Sequence, residues 1–296
     1  MPAKQAQSRS RSFMRSVVQS ESKSMTTSAP AARSPGRRVQ SLAGFFRFQA
    51  KTRGYPFLAA WAHRVSGVLL VLYVWFHILT LSALHDAPRF DAYMKILGSL
   101  PFVFLEWLLA LPVIYHAMNG ARLILYEVFQ NRQDEIVLKW VIGLGVLYTF
   151  LLGLFMVIGN QTISAPLFWV YTAAASACVA YITVAKLRTS GASIFWKLQR
   201  ISGAFLLLMA PAHMLFMHLN PATGHDAQVI IARMGNPFIK LVDLALLAGV
   251  LYHGAYGLYS IGHDYILSAK VKTGVAVLLC FVTLVFAWAG LKLLLI

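Results

Sequence analysis

Seven long apolar runs, roughly residues 61–84, 101–127, 137–158, 166–187, 196–219, 238–263 and 272–295, organise this chain. Each matches or exceeds the roughly 20 helical residues needed to cross a hydrocarbon core, so each predicts a transmembrane helix. The connections alternate in charge. Residues 128–139, 186–200 and 264–272 carry Arg132, Lys139, Lys186, Arg188, Lys197, Lys270 and Lys272. The loop 160–166 carries no basic residue, and the two long loops on its side hold only Arg89, Lys95, Arg233 and Lys240. Basic connections stay in the cytoplasm, so this pattern predicts a cytoplasmic N-terminus and an outside C-terminus.

Composition agrees with a membrane protein: of 296 residues, 58% are hydrophobic and 12% charged, with a mean hydropathy of +0.66. The net charge of +16 does not point to nucleic acid, because the basic residues gather in the first 53 positions and in the short connections. Residues 1–54 read as a basic, Ser/Arg-rich cytoplasmic tail without apolar periodicity, hence disordered. An organellar transit peptide, or a start at Met25, are the other readings of that leader. Cys178 and Cys280 both fall in apolar runs, and there is no CxxCH or CxxC, so any redox metal must be held by other ligands.

Ionisable residues inside apolar runs are costly and mark function, and here they repeat. Arg-(Val/Ile)-Ser-Gly occurs at 64–67 and 200–203, an offset of 136, each followed thirteen residues after the Arg by a histidine, His77 and His213. The second helix of each unit repeats too, at an offset of 137: YHAMNGARLILYE (115–127) against YHGAYGLYSIGHD (252–264). Each contains a Tyr-His dyad, a Gly four residues after the His and an acid eleven after it. The units are therefore 55–160 and 196–296, two parallel three-helix repeats related by an axis along the membrane normal. The first ends outside and the second begins inside, so residues 161–195 must supply an extra crossing, a linker helix without histidine. The predicted fold is all-α, a polytopic bundle of seven transmembrane helices.

Equivalent histidines lie at equal depth. At about 1.5 Å per residue, His77 and His213 are roughly 20 Å from their arginines, and His116 and His253 roughly 16 Å from Glu127 and Asp264. The 116/253 pair falls nearer the cytoplasm and the 77/213 pair nearer the outside. Two neutral imidazoles facing each other across a bundle suit a b-type haem, whose propionates need cationic or hydrogen-bonding partners such as Arg64, Arg200 and His63. Gly120 and Gly257 leave room for a flat macrocycle. A single intramembrane His is as readily a helix-to-helix hydrogen-bonding residue; four at matched places favour ligation. A different haem arrangement would use His63 and His77, fourteen residues apart on one helix, but Gln199 stands where the partner helix would need its second His.

These motifs resemble the membrane-anchor cytochrome b subunits of succinate dehydrogenase and fumarate reductase. HRVSG (63–67) with the first Tyr-His segment is similar to the larger anchor subunit, and RISG (200–203) with YHGAYGLYSIGHDY (252–265) to the smaller, so both appear in one chain. The resemblance implies a dihaem cytochrome b anchor. His116 and His253 would hold the haem proximal to the iron–sulfur subunit, and His77 and His213 the distal one. It also implies a quinone site at Arg64, Asp264 and Tyr265, taking menaquinone or ubiquinone. The implied partners are an FAD-containing flavoprotein and an iron–sulfur subunit, held at the cytoplasmic membrane in preference to a mitochondrial one. Val128 follows Glu127, so the first half lacks its own Asp-Tyr pair, and Ala60 replaces a Ser that some relatives carry.

The chain has neither the Gly signature for flavin nor Cys clusters, so succinate oxidation would occur on partners, with this chain the quinone-reacting subunit. Two rivals stay open. A transporter could use buried His and Arg to relay ions, and a haem-free anchor could use them only for packing.

Overall fold

The computed structural model describes residues 51–158, 165–219 and 222–296; the basic tail, apart from its last residues, lies outside them. They form helices α1 (Tyr55–Leu81), α2 (Ala87–Leu97), α3 (Leu100–Glu127), α4 (Asp134–Ile158), α5 (Ala165–Leu187), α6 (Ile194–Leu219), α7 (Ala222–His225), α8 (Ala227–Met234), α9 (Pro237–Tyr265) and α10 (Ala269–Leu293). Seven of these are long and apolar enough to cross a membrane, namely α1, α3, α4, α5, α6, α9 and α10. The protein is a multi-pass helical bundle.

Helix starts follow local chemistry. α1 begins after Gly54, whose φ of 80° suits glycine, with Pro56 in its first turn. Asn236 caps α9 through its Oδ1, which accepts from the backbone N–H groups of Phe238 and Ile239. Asp86 and Asp226 cap α2 and α8 in the same manner. His85-Asp86-Ala87 and His225-Asp226-Ala227 thus start equivalent short helices, a second echo of the repeat that the apolar pattern alone does not reveal. Leu84 and Phe90 pack with Ala227, Ile230 and Met234 to join them over one end of the bundle.

The centre is a closed ring of four helices, with α1 against α3, α3 against α6, α6 against α9 and α9 against α1. First helices α1 and α6 are therefore diagonal to each other, as are second helices α3 and α9. The third helices pack outside the ring, α4 on α3 and α10 on α9, and α5 packs along α6. Matched bonds set the register within each half. The Tyr115 hydroxyl donates to the Ala59 carbonyl at 2.7 Å, and that of Tyr252 to the Phe195 carbonyl at 2.9 Å. Bonds of this kind are favoured where hydrocarbon offers no competing water.

Candidate functional site

Each expected histidine pair spans a diagonal of the four-helix ring. The rings of His116 and His253 have centroids 6.1 Å apart at 89°, and those of His77 and His213 are 6.3 Å apart at 84°. Two imidazoles sharing one metal, with about 2 Å to each nitrogen and about 1 Å more to each ring centre, have centroids about 6 Å apart. Both pairs meet that requirement. His116 and His253 also border a cavity of about 390 Å³ between the two halves, which Arg64, Arg200, Gly120 and Gly257 line as well. The separation of both pairs is compatible with a bis-histidine haem, and the inner pair borders a cavity as well.

The inner histidines are oriented by bonds to the first helices. His116 Nδ1 lies 3.1 Å from the His63 carbonyl and 3.3 Å from Ser66 Oγ. In the second half His253 Nδ1 is 3.4 Å from Ser202 Oγ, next to the Gln199 carbonyl. A carbonyl that accepts from Nδ1–H leaves the Nε2 lone pair for a metal. Ser66 and Ser202 in turn donate to the same carbonyls, at 3.0 and 3.1 Å.

The motif glycines stand directly behind these rings. A Cβ at Gly67 would lie 2.9 Å from His116 Cε1, and one at Gly203 3.0 Å from His253 Cε1. Gly120 and Gly257, expected to make room for a macrocycle, do line the cavity, but they face His63 and Gln199 at ordinary contact distances of 3.5 and 3.7 Å. The tight glycine contacts on the histidine rings themselves come from the first helices. The duplicated Arg-x-Ser-Gly motif carried that signal: its Ser and Gly serve the histidine of the facing helix.

His63 stacks on His116 at 3.9 Å and 9°, and its Nδ1 is buried without a hydrogen-bond partner. Gln199, at the equivalent place in the second half, likewise has a buried, unpaired Oε1, and both residues line the cavity. Neither position is satisfied by protein, and each could serve a polar group of a bound ligand.

The arginines cross between the halves. Arg64 of α1 bonds Asp264 at 2.9 Å and the Tyr265 hydroxyl at 2.9 Å, both at the end of α9. Arg200 of α6 pairs with Glu127 at the end of α3, its Nε donating at 2.8 Å, and stacks 4.6 Å over the Trp196 ring. Arg64, Asp264 and Tyr265, some 200 residues apart, thus converge as expected. Arg200 lines the cavity but is already engaged by Glu127.

Other polar groups had no readable motif. Arg122, 3% exposed, bonds both carboxylate oxygens of Asp134 at 2.8 Å and the Asn119 side-chain oxygen at 2.8 Å. His218 Nε2 lies 3.5 Å from Glu106 in the outer half. Glu106 and Asp243 stand ten residues before His116 and His253, a further signal within the repeat.

A helical membrane bundle with paired diagonal histidines and an Arg-Asp-Tyr cluster at one end defines the class. The family model described as succinate dehydrogenase/fumarate reductase transmembrane subunit matches residues 53–153 and 183–291. The chain belongs to that family. It is also 30% identical over 96 residues to the succinate dehydrogenase 2 membrane subunit SdhC of Mycobacterium tuberculosis, covering 31% of this chain and 69% of the relative. No solved structure matches it significantly.

Proposed function

We propose that this membrane subunit is a dihaem cytochrome b anchor that passes electrons from a flavoprotein and an iron–sulfur partner to membrane quinone. The observation that carries this reading is the meeting of histidines from four different helices in two diagonal pairs, 6.1 and 6.3 Å apart. His116 and His253 would hold the inner haem, and His77 and His213 the outer. A bis-histidine haem supplies a reversible one-electron carrier with no open iron position.

The chain's own residues do the rest. The His63 carbonyl and the Ser202 hydroxyl hold the inner imidazoles through Nδ1, and Gly67 and Gly203 let those rings reach the cavity. Arg64 and His63 present a cation and a ring nitrogen to carboxylates of a bound cofactor, with Arg200 contributing charge through its pair with Glu127. At the cytoplasmic end the Tyr265 hydroxyl donates to a quinone carbonyl oxygen, and Arg64 with Asp264 sets the hydroxyl's direction. The basic connections support a cytoplasmic position for that end, at the inner (cytoplasmic) membrane, where soluble partners would dock.

The test is a haem determination on the purified chain by pyridine haemochrome, with His77→Ala and His116→Ala variants. Two b haems per chain, each variant losing one, support the reading. One haem removes the outer pair from ligation, and none returns the chain to a haem-free anchor or a transporter.

A further inference from the structure

The linker helix α5 has no counterpart in the repeat and no histidine, so topology alone would account for it. Its packing says more. Trp169 is 2% exposed and lies in one buried cluster with Met209, Phe216, Ile239 and Val242. Its ring centroid is 6.1 Å from that of His213, inclined at 49°, and 5.2 Å from Phe216. Phe168 of the same turn lies 5.1 Å from Phe216, which sits one turn along α6 from His213.

The hydrogen bonding at this place differs from that of the inner pair. There, His116 Nδ1 lies 3.1 Å from the His63 carbonyl and His253 Nδ1 3.4 Å from Ser202 Oγ, both groups on the neighbouring first helix. His213 Nδ1 is buried with no hydrogen-bond partner, and so is Trp169 Nε1. A metal-ligating imidazole is ordinarily oriented through its second nitrogen. With that bond missing, the ring direction falls to packing, and the wall it packs against is contributed by α5.

We propose that α5 completes the outer histidine site, with Trp169 as the positioning residue that fixes the His213 ring and keeps water from it. The inference rests on the dihaem reading. It gives the extra crossing a role in the site besides reconnecting the two halves, and it makes the outer site unsymmetrical: among the described residues the aromatic side chain beside His77, apart from His213 itself, is Tyr73 of its own helix, with centroids 5.7 Å apart.

The experiment is a redox titration with low-temperature electron paramagnetic resonance on the full chain, unsubstituted and as Trp169→Leu and Trp169→Phe. His77→Ala identifies which low-spin signal is the outer one. Both Trp169 variants should shift only that signal and its reduction equilibrium, the latter about threefold or more for Leu and less for Phe. If the Leu variant does not assemble, the Phe variant decides on the same criterion. An outer signal unchanged in an assembled Leu variant overturns the proposal while leaving two haems in place. So does an equal shift of the inner signal, which marks general loosening. A single haem in the unsubstituted chain overturns both this inference and the dihaem reading.

Discussion

Replacing Gly67 or Gly203 by alanine tests the inner site at its tightest contact. The added methyl carbon would stand 2.9 Å from His116 Cε1, or 3.0 Å from His253 Cε1, well inside ordinary van der Waals separation. His116 cannot simply retreat, because its other face stacks on His63 at 3.9 Å and its Nδ1 is tied to the His63 carbonyl at 3.1 Å. An inserted methyl in a packed region costs about 1–3 kcal/mol, and giving up the Nδ1 bond costs about 1 kcal/mol more. A total of about 3 kcal/mol against the ligating orientation is roughly 100-fold in haem binding. The assay is the haem-to-chain ratio, with resonance signals separating inner from outer haem, and Gly143→Ala as control because a Cβ there meets nothing within 4 Å. Inner haem should be lost from both motif variants and kept by the control. Full inner haem in Gly67→Ala and Gly203→Ala would refute the assignment of these glycines to ring clearance.

Ser66→Ala and Ser202→Ala remove hydroxyls 3.3 and 3.4 Å from the ring nitrogens, long enough that haem should stay bound while the inner midpoint potential moves modestly, read by redox titration. Tyr265→Phe and Asp264→Asn should depress quinone reduction with haem spectra intact. The Arg64–Asp264 pair is nearly half exposed, so thermal stability should change by no more than about 1 kcal/mol. Asp134→Asn leaves Arg122 buried without its counter-charge, and a cost of about 3–5 kcal/mol should appear as a clear drop in the unfolding temperature in detergent. Trp107→Phe removes a bond from Nε1 to the Thr149 carbonyl at 3.2 Å and leaves space against Gly153, so a loss of about 1 kcal/mol is expected in the same assay.

The seven spans were legible because hydropathy over a bilayer-length window is a strong signal. So were the histidine pairs, since a duplication marks equivalent residues without any knowledge of packing. Arg64 with Asp264 and Tyr265 was reached through resemblance, not spacing, because nothing local says that α1 and α9 are neighbours. The ring clearance given by Gly67 and Gly203 was not read from the sequence, for a physical reason: periodicity shows which residues share a helix, whereas clearance depends on what the facing helix presents. Trp169 left no trace in the repeat, since α5 has no partner segment, and an aromatic in an apolar run reads as lipid-facing or packed with equal ease. Gln199 was read as the absence of a second His. Its contribution is a backbone carbonyl, which side-chain identity does not encode.

Every element of the candidate site is divided between the repeats. The inner and outer histidine pairs each take one ring from either half, and each arginine reaches the acid that ends the other half's second helix. Neither half holds both histidines of a pair, or both partners of the Arg64–Asp264 and Arg200–Glu127 contacts, by itself. Carrying both on one chain makes their association intramolecular, at an effective concentration set by the connection. Because the halves are parallel, that connection must return across the membrane, and α5 does so along α6. The crossing that the topology requires therefore lies beside His213, whose Nδ1 is buried without a hydrogen-bond partner. Among the described residues the ring beside His77 from its own half is Tyr73 of the same helix, whereas His213 meets Trp169 of the added crossing, so the two outer histidines sit in different surroundings.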